Sequence, residues 1–453
     1  QPVIVELAEN HTSLLTATDT TQIPVERKIS RANRVGPIPA DTLMRASRCR
    51  VAVLRWRLAV SWDRIALICI RRVAPLGFRM DSEAEVVMLE PEFEKLYADM
   101  ERNHIKPLWR ASSSVMPAQP QPRTVAWIWK WSQLYDLARR SGELVTLARG
   151  GDRRALGLAN PGFGGLPYAT ATLWAAVQWL NGREVAPAHR HSAQAVRFMI
   201  EGKGAYSTVQ GDKVYLERGD FAINPPWYWH DHGSEGDGPA VWMDGLDVPL
   251  NNYLDAVFFE PGARDTQEIT QVIDGSVMKY GLGQLRPAWE APVKQYSPIS
   301  TYKWTATERA LTNLAKVDAS PFDDVALEYT NPHTGKPVMD TMTAWIQMLR
   351  PGIHTKAHRQ VNSAVYHVFE GSGATVIAGV RFDWKQGDIF VIPSWAYHEH
   401  INASKTERAI LFSVQDTPVL VALGKYREEA LATNGGHQEI KEVFDAEKSL
   451  ASA

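Results

Sequence analysis

Cysteine is almost missing from this 453-residue chain: there are two, Cys49 and Cys69, and none follows. Neither a disulfide framework nor a thiolate metal site can be built after residue 69, which leaves histidine as the metal ligand and fits a reducing, cytoplasmic setting. An excess of one charge is also missing, with 49 Lys and Arg against 51 Asp and Glu and a formal net charge of −2. Beyond residue 80 the basic residues form no stripe, and the aromatics fall in apolar runs rather than alternating with Lys or Arg. That distribution argues against a nucleic-acid partner. Long hydrophobic runs are lacking too: residues 51–70 are apolar but broken by Arg55, Arg57, Asp63 and Arg64, so no membrane span is expected. What remains is the composition of a globular protein long enough for two or three domains.

The first 79 residues stand apart. They hold both cysteines and twelve arginines against one lysine, Lys28, with no clean helical or strand period. An Arg-rich, acid-poor leader can be a transit peptide, but Glu6, Glu9, Asp19, Glu26 and Asp41 weigh against that. The expectation is that residues 1–79 are a disordered or non-native extension and that Met80 is the true start. A helix is expected from about Glu90 to Asn103.

Against these absences, histidine is present in an informative arrangement. Pro187-Ala-His189-Arg-His191 sets two imidazoles two residues apart. On a strand, residues i and i+2 face the same side, so both rings can reach one ion. Trp227-Tyr-Trp-His230 offers a third ring, 39 residues after His191. An isolated His-x-His is more often a hydrogen-bonded surface or core pair than a ligand set. Here the pair precedes the strand-like run Val196-Arg-Phe-Met-Ile200, the turn Glu201-Gly-Lys-Gly204, another strand and the Gly219-Asp220 turn. Phe221-Ala-Ile-Asn-Pro225 then leads back to His230, and hairpins at this pitch favour ligation. Three neutral imidazoles suit a first-row divalent metal such as iron, copper, nickel or zinc, and leave positions open for substrate or oxygen.

An internal repeat covers much of the rest. Pro187-Ala-His189-Arg-His191 aligns with Lys356-Ala-His358-Arg-Gln360 and Glu201-Gly-Lys-Gly204 with Glu370-Gly-Ser-Gly373, at an offset of 169. Gly219-Asp220 and Pro226-Trp-Tyr-Trp-His230-Asp-His232 align one residue closer with Gly387-Asp388 and Ser394-Trp-Ala-Tyr-His398-Glu-His400. Short strands with glycine turns predict a mainly β protein of two jelly-roll barrels with flanking helices. Copy two has Gln360 where copy one has His191, so it reads as a structural or vestigial barrel, the alternative being a weak site of His358, Gln360 and His398. Residues 126–148, with Trp127, Trp129, Trp131, Leu134, Leu137, Leu144 and Leu147, give a mostly helical pattern expected to cover a barrel or pair subunits. Pro117-Ala-Gln-Pro-Gln-Pro122 is a short Pro-rich linker. The organisation expected is an extension (1–79), an N-terminal helical arm (80–165), barrel 1 with the metal site (166–250), an inter-barrel linker (251–335), barrel 2 with a degenerate site (336–416) and a helical tail (417–453).

The stretches around His189, His191 and His230, together with Ile200-Glu-Gly-Lys-Gly-Ala-Tyr206 and Gly219-Asp-Phe221, resemble the cupin superfamily, and more closely its bicupin gentisate 1,2-dioxygenases. The resemblance runs over about residues 85–435. General cupin motifs carry a glutamate four residues after the second histidine. This chain has Ala195 there, which departs from the three-His-one-Glu site and suits the three-His ring-cleaving group.

The resemblance implies Fe(II) on His189, His191 and His230, and O2-dependent opening of gentisate (2,5-dihydroxybenzoate) to maleylpyruvate by a homotetramer. By position it further implies pocket roles for Arg153, Trp174, Arg197, His232 and Asp244. Arg197, with the same parity as the histidine pair, would hold the substrate carboxylate or a developing peroxide, or else close the barrel as an ion pair. Trp174 would pack on the aromatic ring. Asp244 would orient Arg197, accept from the 5-hydroxyl or be a surface acid. His232 would shuttle a proton, support His230 or merely face solvent. Three neutral imidazoles leave Fe(II) its full charge, which a dianionic salicylate-type chelate can neutralise. The alternatives are dioxygenases for salicylate, 1-hydroxy-2-naphthoate or a substituted salicylate, a metal-binding bicupin without oxygen chemistry, and an isomerase or decarboxylase cupin.

Overall fold

The computed structural model describes residues 82–146, 149–150, 154–283, 285–290 and 296–445. The Arg-rich extension, Met80, Leu147 and Arg153 lie outside the described residues. The chain divides into a unit up to Phe93 and a second from Glu94 onward, to which both barrels belong. The helix expected from about Glu90 spans Ser82–Arg102. No helix among the described residues is long and apolar enough to cross a membrane.

The run Val196-Arg-Phe-Met-Ile200 forms the centre of barrel 1 as the strand Ala195–Glu201, buried along almost its whole length. It does not alternate polar with apolar because both of its faces are covered. Met199 packs with Leu180, Leu216 and Trp242 inside the barrel, while Val196, Phe198 and Ile200 face the other barrel. Across that face Phe198 stacks on Phe412 at 4.1 Å and meets Phe369 edge-on at 5.2 Å, and Phe221 stacks on Tyr329 at 4.4 Å. Burying such a side chain contributes about 1.5–3 kcal/mol, so the main core lies between the barrels as much as within them.

Both barrels repeat one strand order. In barrel 1, Phe221–Asn224, Ala195–Glu201, Ala240–Leu246 and Trp174–Leu180 lie side by side, and Ile389–Ile392, Ala364–Glu370, Ala409–Gln415 and Thr343–Leu349 do the same in barrel 2. The second sheets run Val185–His191, His230–Ser234, Ala205–Val209, Asp212–Leu216 and His358–Gln360, His398–Ile401, Ser372–Ile377, Val380–Lys385. Two packed sheets in this order are the jelly roll that the repeat predicts.

The flanking segments differ from expectation. Residues 126–148 are not one helical stretch: Trp127–Trp129 is a strand paired with Ile389–Ile392 of barrel 2, and the helix runs over Trp131–Leu144. Ile128, 3% exposed, enters the barrel 2 core, so tertiary pairing overrides the helical spacing of the tryptophans. The joining segment is built into the sheets as well. Phe259–Pro261 pairs with Val185–His191, Thr301–Tyr302 with Phe221–Asn224 of barrel 1, and Val325–Glu328 with Thr343–Leu349 of barrel 2. Among the described residues, the tail has no α-helix beyond Thr417–Ala422. Glu428–Ala430 pairs with His358–Gln360 and Glu442–Val443 with Val380–Lys385. Open sheet edges offer these segments ladder partners, which a helix would leave exposed.

The segments ahead of the barrels are exchanged. The strand Trp127–Trp129 precedes barrel 1 but completes barrel 2, and Thr301–Tyr302 precedes barrel 2 but completes barrel 1. Each is fastened alike. Lys130 Nζ and the Trp131 N–H donate to Asp388 at 3.1 and 2.8 Å, and Lys303 Nζ and the Trp304 N–H donate to Asp220 at 2.5 and 2.8 Å. The indoles lie on Gly387 (φ +92°) and Gly219 (φ +88°), where a Cβ would come within 2.2 Å of Trp131 and 2.8 Å of Trp304. The Gly-Asp turns are therefore docking points as well as turns.

Candidate metal centre

His189 and His230 sit directly opposite each other on adjacent antiparallel strands, and a register shift lies between Ala186 and His189. His191 follows on the same face as His189. The three rings lie with centroids 4.4 Å (His189 to His230), 4.8 Å (His191 to His230) and 5.7 Å (His189 to His191) apart. One donor nitrogen from each comes within 4.8 Å of the other two.

The backbone fixes which nitrogen that is. Nδ1 of His189 bonds the Pro187 carbonyl at 2.7 Å, Nδ1 of His191 the Ala193 carbonyl at 2.7 Å and Nδ1 of His230 the Tyr228 carbonyl at 2.8 Å. A carbonyl only accepts, so each Nδ1 carries the proton and each Nε2 is the lone-pair nitrogen. Burial, with the positive field of His189 and His191, pushes His230 well below the usual imidazole range. Three neutral, oriented imidazoles are a donor set for a divalent first-row cation.

The triad opens on a cavity of about 370 Å³. Trp174, Leu246, Val257, Phe258 and Phe259 form its apolar wall, and Arg197, His232 and Asp244 line it together. Ala195 also lines it, and no carboxylate stands at that position. Arg197 is 6% exposed. Its Nε donates to Asp244 Oδ1 at 3.0 Å, its Nη1 donates to His232 Nδ1, and its guanidinium lies 4.7 Å from the centre of the Trp242 ring. Trp242 Nε1 donates to the other Asp244 oxygen at 3.0 Å. Arginine has no acceptor, so His232 Nδ1 accepts and its Nε2 carries the proton. Burial, then the Arg197 charge, holds His232 well below the usual imidazole range, while burial pushes Asp244 up and Arg197 opposes that rise.

Of the residues singled out in the sequence, His189, His191, His230, Trp174, Arg197, His232 and Asp244 thus line one cavity. Asp244 is not a surface acid and His232 does not face solvent: they are 4% and 3% exposed. The ion pair considered for Arg197 exists, on the cavity wall. Sequence reasoning missed Gln178 and Asn224, which also line the cavity. Asn224 Oδ1 is buried without a hydrogen-bond partner among the described residues. A polar residue ending the otherwise apolar strand Phe221–Asn224 was the available signal for it.

Barrel 2 carries different chemistry. Tyr366 stands where Arg197 does, stacked on Phe390 at 5.0 Å, and Ser413 stands where Asp244 does. His358 Nδ1 meets Glu428 at 2.9 Å instead of a backbone carbonyl, and its ring stacks on Phe322 at 5.0 Å. Among the described residues, no third histidine, cysteine or carboxylate joins His358 and His398.

Comparison with known proteins agrees with this geometry. Residues 177–248 and 345–415 each match the cupin domain family. A gentisate 1,2-dioxygenase from Streptomyces sp is 42% identical over 342 residues, covering 74% of this chain and 94% of that protein. A 5-aminosalicylate 1,2-dioxygenase from Comamonas sp is 38% identical, covering 79% and 95%. The crystal structure of salicylate 1,2-dioxygenase from Pseudoaminobacter salicylatoxidans, in adducts with gentisate, superposes with a TM-score of 0.71 at 41% identity, covering 75% of this chain and 94% of that one.

Proposed function

Since the chain belongs to the bicupin gentisate 1,2-dioxygenase family and is a ring-cleavage dioxygenase, we propose that its substrate is gentisate, its metal Fe(II), its co-substrate O2 and its product maleylpyruvate. The observation that carries this reading is the triad itself, with three imidazoles held by backbone carbonyls at one end of a cavity that also presents a buried guanidinium and an apolar wall. His189, His191 and His230 would hold the iron. Bound there, Fe(II) supplies the redox capacity to react with O2 and the Lewis acidity to chelate a salicylate-type carboxylate and hydroxyl.

The rest is the work of side chains. Nε and Nη1 of Arg197 are committed to Asp244 and His232, and the remaining guanidinium hydrogens suit the substrate carboxylate. Asp244, fixed by Trp242, keeps that fork from turning and is a positioning residue. His232, a proton carried on Nε2, donates a hydrogen bond to an anionic substrate oxygen and can return a proton to it. Trp174, Phe258 and Leu246 receive the ring and exclude water. The ring bond between the carboxyl-bearing carbon and its hydroxyl-bearing neighbour opens, and both atoms of O2 end in the product.

A homotetramer is the assembly we assign, on the exposed apolar side chains of the helix Leu108–Val115, which buries no residue, and cytoplasm the compartment. Oxygen uptake by Fe(II)-reconstituted protein tests the chemistry, with gentisate, salicylate, 5-aminosalicylate and 1-hydroxy-2-naphthoate side by side. One O2 per gentisate is expected, lost in His191→Ala and kept in His358→Ala. Faster turnover of salicylate moves the assignment to a salicylate dioxygenase, and no uptake with iron bound removes all of these substrates. Light scattering on the same preparation should give the mass of four chains.

A further inference from the structure

Barrel 2 carries a second convergence of ligating side chains on its outer wall. His354, Glu399 and His437 each bring one donor atom to within 4.8 Å of the other two. Glu399 lies between His398 and His400 on one strand, so it faces outward where they face inward. Its side chain is nonetheless 1% exposed, against 41% for His354 and 34% for His437. Oε1 lies 3.5 Å from His354 Nε2 and Oε2 3.3 Å from His437 Nδ1, and the two rings are 4.3 Å apart.

Barrel 1 shows what the fold needs at this place. There the Gln267 N–H donates to Asp231 at 2.8 Å, Gln267 Nε2 donates to the Thr208 carbonyl at 2.8 Å and Gln267 Oε1 accepts from the Gly211 N–H at 3.3 Å. In barrel 2 the Gln438 N–H donates to Glu399 at 3.2 Å, Gln438 Nε2 donates to the Val376 carbonyl at 2.9 Å and its Oε1 accepts from the Gly379 N–H at 3.0 Å. The clasp is the same, but the positions of His354 and His437 are held in barrel 1 by Val185 and Thr266. Neither imidazole is required to fasten the chain. The acid is also one methylene longer in barrel 2, which carries its oxygens out to the rings.

We infer that His354, Glu399 and His437 bind a divalent first-row cation, Zn2+ by preference, separate from the catalytic metal. One donor atom from each residue already lies within 4.8 Å of the other two, so small rotations of the two partly exposed rings bring all three onto one ion at bonds of about 2.0–2.1 Å, the usual zinc distances. Two imidazoliums side by side would repel each other, whereas one cation satisfies both rings and the buried carboxylate. The Gln438 N–H orients that carboxylate, and the fourth position lies open to water. The ion would pin the segment after Gly436 to the barrel wall.

Zn2+ alone is the probe. The chelator-stripped full chain is equilibrated with it, desalted and assayed for metal per chain, beside a His354→Val, His437→Thr double variant that copies barrel 1. Wild type should retain one equivalent more, and its melting temperature should rise with Zn2+ by several degrees more than that of the double variant. The same difference of one equivalent is expected in a His191→Ala background, which separates this site from the catalytic triad. Ring-cleaving activity of the iron-loaded protein should be equal in both. Equal zinc content in wild type and double variant overturns the assignment. His437→Thr alone, a change at a partly exposed loop residue, decides in the same way if the double variant fails to fold.

Discussion

Arg197 shows how a single residue is made to fit a pocket. Asp244 and Trp242 hold it in plane, and His232 takes one of its hydrogens, so it meets a ligand with little rotamer freedom left to lose. Arg197→Lys keeps the charge but loses the fork. It should lower kcat/KM for gentisate about 10- to 100-fold, or ~1.4–2.8 kcal/mol, at unchanged iron content. Unchanged kcat/KM would remove Arg197 from the substrate site. The histidines and Arg197 were legible in the sequence because strand parity alone sets which way they point. Asn224 and Gln178 were not, since an amide in a strand looks the same whether it faces a cavity or a neighbouring chain. Phe258 and Phe259 were hidden for another reason: they come from the segment after barrel 1, whose return to Val185–His191 is a tertiary event.

Among the elements, the exchanged strands carry the most information. Trp129-Lys130-Trp131 and Tyr302-Lys303-Trp304 were plain in the sequence, but they lie outside the aligned repeat and at a different spacing from it, so their equivalence emerges only once both are seen docked on a Gly-Asp turn. The barrels themselves were legible because their turns recur. The flanks were not, since a three-residue aromatic strand has too few residues to display a period. Gly387→Ala combines a left-handed backbone with a collision against Trp131. It should destabilise the protein by more than about 1 kcal/mol in denaturant unfolding, and a wild-type midpoint would show that the indole yields freely.

For the molecule as a whole, buried histidines set the response to acid. Burial depresses His367 and His400 to about 3, and His232 and His398 lie well below the ordinary range. Their folded-state values fall below the unfolded value of about 6.5. Stability from keeping them neutral is therefore complete above that pH and is lost as pH falls below it. Each contributes up to about 1.4 kcal/mol per pH unit. The carboxylates raised by burial, Asp220, Asp231 and Asp244 among them, work in the opposite sense at lower pH, where they take up protons more readily folded than unfolded. Thermal melts of metal-free protein should thus show a falling melting temperature from pH 6.5 to 5.5, and a flat profile there would mean that the histidines gain water or partners on protonation.

The exchanged strands also bear on how the molecule comes into being. On a ribosome, Trp127–Trp129 emerges long before its partner Ile389–Ile392. Barrel 1 cannot close its sheet until Thr301–Tyr302 has been made, and its face of Val196, Phe198 and Ile200 stays uncovered until barrel 2 arrives. Order of synthesis and order of completion are therefore different, and the nascent first half must be shielded from its neighbours while it waits.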